Sequence, residues 1–410
     1  MTTDVMETNM RNIFKTIKQM SYLKSFYTEG RLHIYSVLLF VSTFLWMALP
    51  FNSGPDMNIQ KWVGAIQMIW PDRQKPSPDE ILFIDVSKSR YLVPLDDDLI
   101  ENEVITNRQY LTELFTLLAE NHNQVKYVLC DVNFDMPTPD DFLLVESVSG
   151  LKEKFLTIDT YAKDELRKNL LDLRSATASI YMQRNIVYKI PYMGIYGDKL
   201  VPFQMYSDLD KVEFRKNFLF TWFSGKGLAF NNQIPQYPLR SYDFTDGNYV
   251  KIGLGELVSI WRLSPELFET FIINRYLLIG DYENDIHSTY LNKQPGTLIL
   301  FNAYLHLHHD RHILSVWYLI ILYIFLHWIV WLQKDKKKRH LIFKLKIKFF
   351  EPFEMPVNIL SVSLLLMFFS YFSSLVFNVN ISIFHLITIF SFIDFFKFIW
   401  KKRIRTKRVR

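Results

Sequence analysis

Five aspartates and a histidine stand at positions where α/β proteins do their chemistry. Asp85 closes the apolar run Ile81-Leu82-Phe83-Ile84, and Asp131 closes Tyr127-Val128-Leu129-Cys130 with Asp135 just beyond it. Asp281, Asp285 and His287 follow Tyr276-Leu277-Leu278-Ile279-Gly280. Short, continuous β-prone runs of this kind read as strands buried on both faces of a parallel sheet. Open parallel sheets gather ligands outside the carboxyl ends of their strands, which singles out the residues just past each run. Convergent carboxylates can hold a cation or accept hydrogen bonds from a polar ligand, whereas an isolated strand-end aspartate caps its own loop. No nucleophile elbow, metal-ligand pair or glycine-rich phosphate loop accompanies them. The pattern therefore reads as ligand binding by a protein that is not an enzyme, and it assigns no cofactor.

A second cluster, His306, His308, His309, Asp310 and His312, precedes a long apolar run. On a continuous helix His308 and His312 would share one face at a zinc-binding spacing, which makes them the candidate metal ligands. No glutamate base or cysteine joins them, so a polar helix cap is the competing reading and no metal is assigned. Protonation of the cluster between about pH 5 and 7 is a further expectation.

The elements that must position these groups can be read in outline. Ile81 to Val86 is a strand, and Asn107 to Glu120 is a helix with apolar residues at helical spacing and Thr106 or Asn107 as its cap. Val125 to Asp131 follows as a second buried strand, so the three predict a βαβ unit and a parallel sheet covered by helices. The pattern further predicts a helix from Lys163 to Met182, strands at Ile186 to Ile190 and Phe218 to Phe223, a helix from Glu256 to Phe271 and a strand at Tyr276 to Gly280. Cys130 is the only cysteine among 410 residues. No intramolecular disulfide can form, and the domain must be held by its own core.

Hydrophobic residues make up 49% of the chain and the formal charge is +5. Both figures reflect four apolar runs, 34–51, 313–332, 357–377 and 381–400, and the basic segments beside them. At about 1.5 Å rise per residue each run is long enough to span a bilayer, so four transmembrane helices are expected. The positive-inside rule then places 1–33, 333–356 and the tail 401–410 in the cytoplasm, with 52–312 as a large extracytoplasmic domain of a multi-pass inner-membrane protein. Lys336, Lys337, Lys338, Arg339, Arg405, Lys407, Arg408 and Arg410 would face anionic lipid or an acidic partner protein, and nucleic acid is not expected. Asp394 and Lys397, three residues apart, would pair near the inner end of the last span. The expected fold class is thus an α/β domain with a mainly parallel sheet plus an α-helical membrane part.

The outer segment resembles the type-2 CHASE domains, which are extracytoplasmic sensors of bacterial signalling proteins. The likeness rests on Ile81-Leu82-Phe83-Ile84-Asp85-Val86-Ser87-Lys88-Ser89, on Leu129-Cys130-Asp131-Val132-Asn133-Phe134-Asp135, on Tyr276 to Asp281 with Asp285 and His287, and on Gln294-Pro295-Gly296. The three apolar runs that follow also resemble that family, but no output domain follows them. The resemblance implies a sensor or scaffold that recognises a ligand or envelope partner and signals through a separate protein. Membrane lipids and a homodimeric second copy complete the expected partners. The rival expectation is an accessory subunit of a membrane transport or envelope complex.

Overall fold

The computed structural model describes residues 30, 32–49, 54–69, 75–94, 102–162, 165–167, 170–178, 181–183, 186–193, 197–234, 236–334, 354–379, 381–382 and 385–389. Its helices are α1 (32–48), α2 (Gly54–Ile69), α3 (Arg108–Glu120), α4 (Asp141–Ser149), α5 (Val201–Leu209), α6 (Tyr242–Thr245), α7 (Leu254–Leu263), α8 (Pro265–Ile272), α9 (Gly296–His308), α10 (Val316–Lys334) and α11 (Glu354–Phe377). The first strands are β1 (Ile81–Asp85), β2 (Arg90–Pro94), β3 (Asn102–Thr106), β4 (Tyr127–Asp131), β5 (Phe155–Ala162), β6 (Glu165–Arg167), β7 (Ser175–Thr177), β8 (Tyr181–Gln183) and β9 (Ile186–Pro191). Then come β10 (Phe214–Lys216), β11 (Phe220–Phe223), β12 (Gly227–Phe230), β13 (Asn232–Gln233), β14 (Lys251–Gly253), β15 (Tyr276–Gly280), β16 (Ile286–Thr289) and β17 (Lys293–Pro295). The described residues divide into two compact units, one of 48–313 with 374–380 and the other of the remainder.

The larger unit is mixed α/β around a parallel sheet in the order β14, β1, β15, β4, β5, with β7 parallel to β5 and β6 folding back on β5 as a hairpin. Strand residues alternate between faces, and the two sets enter different cores. Ile81, Phe83, Tyr127, Leu129, Tyr276 and Leu278 pack with residues of α5 and α9 on one face. Leu82, Ile84, Val128, Cys130, Leu277 and Ile279 pack with residues of α3, α4, α7 and α8 on the other. Both faces are thus covered, which is why all five residues of β1 and of β15 are buried and why their sequences carry no polar alternation. Burial in this core pushes the Cys130 thiol up to about 12, so it packs as a small apolar group.

The expected βαβ unit is corrected in one respect. β1 and β4 are joined through the β2–β3 hairpin and α3, but they are not neighbours, because β15 lies between them and pairs with both. The helix expected from Lys163 to Met182 is replaced in the described residues by β6, β7 and β8, where sheet pairing overrides local propensity. The expected helix Glu256 to Phe271 is cut into α7 and α8 at Ser264-Pro265, because proline cannot donate the amide hydrogen bond of a continuous helix.

The membrane part is corrected more fundamentally. Among the described residues no helix is long and apolar enough to cross a membrane, which overturns the four transmembrane helices and the multi-pass inner-membrane localisation. Helix boundaries cut the first two apolar runs, and most of the fourth, 381–400, lies outside the described residues. Ile313 makes a β-bridge to Ala229 in the larger unit, so the run 313–332 becomes helical only at Val316. The first run ends its helix at residue 48, and residues 374–377 of the third belong to the larger unit. Within the smaller unit, polar groups sit among the apolar ones. Ser36 Oγ lies 3.0 Å from His327 Nδ1, His33 Nδ1 lies 3.1 Å from the Tyr323 hydroxyl, and His385 stacks on Trp46 within hydrogen-bond reach of Ser42. Asp394, Lys397, Lys336, Lys337, Lys338, Arg339, Arg405, Lys407, Arg408 and Arg410 lie outside the described residues.

Candidate functional site

The parallel register places Asp85, Gly280 and Asp131 in one row across the carboxyl ends of β1, β15 and β4, with Gly253 of β14 beside Asp85. After β1 and β4 the chain passes to α3 and α4 on one face of the sheet, whereas after β15 it leads to α9 on the other. That divergence makes the end of β15 a topological switch point, the kind of place beside which open α/β sheets form their ligand crevices.

Glycine at 280 is required by the close approach of α9. A Cβ there would overlap the Thr297 hydroxyl, and the hydroxyl uses this position to donate to Asp131 Oδ2 at 2.7 Å. Gly296, the first residue of α9, has the same role for Asp285. A Cβ on it would overlap Asp285 Oδ2 and stand 3.4 Å from Asp131 Oδ2. The two carboxylates therefore converge on the start of α9. The Gly296 amide donates to the Asp285 carbonyl at 2.9 Å, and the positive end of the helix lies against both acids. His287 Nε2 stands 2.9 Å from Asp285 Oδ1 and completes the group.

Electrostatics separates the members of this group. Burial and the neighbouring Asp285 push Asp131 up to about 7, against the opposing pull of Thr297 and His287. His287 is raised by its hydrogen bond to Asp285, which outweighs its partial burial. Asp131 thus changes charge near neutral pH, beside a histidine whose protonated form Asp285 favours.

The other predicted aspartates are committed to structure. Asp85 is buried, which alone would raise its pKa, yet the Ser87 amide at 3.0 Å and the Lys251 ammonium at 3.0 Å hold it below the usual value. It also accepts from the Tyr282 amide at 3.3 Å, tying the loop after β15 to the end of β1. Asp281 caps its own turn, accepting from the Asn284 amide at 2.8 Å and the Glu283 amide at 3.1 Å, and pairs with Arg90. Asp135 accepts from the Asn133 side chain at 2.8 Å.

The histidine pair is not brought together. α9 ends at His308, and Asp310 adopts a left-handed conformation with φ of 55°, so His312 leaves the helix face it was expected to share. His308 meets Asp210 at 2.8 Å, while His312 is buried against Phe223, Tyr206 and Tyr192. Among the described residues no group of three or more histidine, cysteine or acidic side chains is placed to hold a metal ion. Sequence reasoning missed Thr297, Lys251 and Arg90 as members of the crevice. Gly280 and Gly296 carried the available signal, since one ends an apolar strand and the other begins an apolar helix where another group must approach. No protein family, curated protein or solved structure matches the chain.

Proposed function

We propose that this chain is a ligand-sensing protein, of the kind its resemblance to type-2 CHASE domains suggests, that binds a small polar ligand at the carboxyl edge of its parallel sheet. In this reading it is a binding protein rather than an enzyme, and it acts through a separate protein partner. The observation that carries the reading is the convergence of Asp131 and Asp285 on the start of α9, with His287 and Thr297 as their partners. A carboxylate pair of this kind favours a cationic or hydrogen-bond-donating ligand, because a bound ammonium group would offset the burial and the Asp285 repulsion that raise Asp131.

Putrescine and spermidine are suitable probes, followed by thermal denaturation of the full chain. A ligand held at a hundred times its Kd adds about 2.7 kcal/mol to the stability of the folded state, which raises the melting temperature by several degrees. Asp131→Asn and Asp285→Asn should each abolish the shift while leaving the protein folded. If neither amine raised the melting temperature, or if both variants responded as the parent does, the crevice would not be an amine-binding site.

A further inference from the structure

The meander β10–β11–β12 presents an unusual surface. Its registers pair Phe214 with Phe223, Arg215 with Trp222 and Lys216 with Thr221, and then Trp222 with Leu228. Phe223, Thr221 and Ala229 point into the core. The opposite face carries Arg215, Trp222 and Leu228 in one cross-strand row, and Phe218 projects from the β10–β11 turn. Phe218 is 92% exposed and Trp222 is 54% exposed. Large aromatic side chains left in water on one hairpin mark an interaction surface.

The edge of this sheet has a defined polarity. The Ser224 amide donates to the Glu213 carbonyl and the Asn217 amide to the Phe220 carbonyl, so residues 213 and 217 turn their backbone groups toward β11. By the alternation of an antiparallel ladder, Phe214 and Lys216 turn theirs to the outer edge of β10, which pairs with no strand among the described residues. Along that edge the cations Arg215 and Lys216 outnumber Glu213, the acid that precedes Phe214. Lys226 pairs with Asp310 and Lys211 with Glu153, whereas Arg215 and Lys216 form no ion pair among the described residues. A second copy of this chain pairing edge to edge would set these cations against one another, which disfavours self-association here.

We infer that β10 is the docking edge for an extended acidic segment of a separate protein, which adds a strand to the meander and places its acids beside Arg215 on the face that carries Trp222 and its apolar residues beside Phe214 on the other, with Lys216 adding to the positive charge of the edge. This mode takes affinity from main-chain hydrogen bonds and specificity from alternate side chains. The inference names the partner's chemistry and rests on the reading that the chain acts through another protein. It does not depend on the crevice.

The test is fluorescence anisotropy with the full chain and a labelled peptide of alternating valine and glutamate. Controls are the valine–lysine counterpart and an acidic peptide N-methylated at alternate residues, which cannot donate to the edge. The acidic peptide should bind at least about ten-fold more tightly than either control. Combined Arg215→Glu and Lys216→Glu substitution should reverse the charge preference, and Phe218→Ser, at a fully solvated position, should weaken binding without altering the melting temperature. Asp131→Asn should bind the peptide as the parent does, so that failure of the crevice and failure of the edge are told apart. Equal binding of the acidic and basic peptides would overturn the inference. So would unchanged binding by the charge-reversed protein, or sedimentation showing a dimer that Trp222→Ser dissolves.

Discussion

Asp131 carries a cost that the fold tolerates, and the cost has a sign. Its folded pKa, raised to about 7, lies above the value of an unfolded aspartate, so the folded state holds a proton that the unfolded state has lost. The penalty is absent below about pH 4, grows as the pH rises through the interval to about 7, and is constant above it. Asp131→Asn keeps an acceptor for the Thr297 hydroxyl and removes the charge. The variant should therefore be more stable than the parent at pH 8, by an amount on the order of 1 kcal/mol, and the gain should vanish near pH 4. Urea denaturation at the two pH values decides it, and a gain that did not change with pH would show that Asp131 folds ionised. The contrast with Asp85 is instructive, because a strand-end aspartate of the same type in the same row is held below its usual pKa by Lys251 and the Ser87 amide.

At the scale of elements, the docking of α9 on β15 depends on the bare backbone of Gly280. Gly280→Ala should destabilise the protein by about 1–3 kcal/mol through overpacking against Thr297, and Thr297→Ala in the same chain should recover part of the loss. Additive losses in a chemical-denaturation cycle would remove that contact from the account. The far end of α9 responds to acid instead. His306 and His312 are buried, and no hydrogen-bond partner of His306 Nδ1 or of either His312 nitrogen is present among the described residues. Burial lowers both pKa values, that of His312 to about 3, with His309, Arg311 and His312 acting on His306, and Asp310 and Lys226 acting on His312 in opposite senses. Both imidazoles fold neutral, so stability is complete above about pH 6.5 and is lost as the pH falls, by up to about 1.4 kcal/mol per pH unit for each. His312→Phe should flatten the decline between pH 6.5 and 5, and an unaltered pH profile would refute it. These elements were legible in the sequence to different degrees. β1, β4 and β15 could be read directly, because burial on both faces leaves an uninterrupted apolar run. Helix α3 was equally clear from its periodicity and from Asn107, whose side chain accepts from the Tyr110 amide. The insertion of β15 between β1 and β4 could not be read, since no local pattern encodes the pairing of distant strands. Asp131 and Asp285 could be named because they follow buried strands, but their meeting could not be foreseen, because only the docking of α9 brings them together. The His308 and His312 spacing misled because it assumed a helix that Asp310 ends.

At the scale of the whole molecule, the apolar runs show that hydrophobic length is a poor measure of a helix when its boundaries are set by folding. Ile313 serves a sheet, and residues 374–377 serve the unit to which Gln60 and Ser374 also belong. The same separation between sequence order and spatial order governs how the chain must be made. The central strand of the sheet, β15, is translated after both of the strands it joins, and until residues 276–280 leave the ribosome the facing edges of β1 and β4 have no partner. Such pairing is non-local, closes slowly and leaves apolar edges exposed to other chains in the meantime. Nascent chains arrested with residue 270 as the last to emerge should be cleaved readily by added protease, and those arrested once α9 has emerged should resist it. Equal resistance of the two would mean that β1 and β4 find a temporary partner. Otherwise the vulnerable period of this protein is the interval of synthesis between Asp131 and Gly280, when the first acid of its crevice is already made but neither the strand that must settle beside it nor Asp285 is.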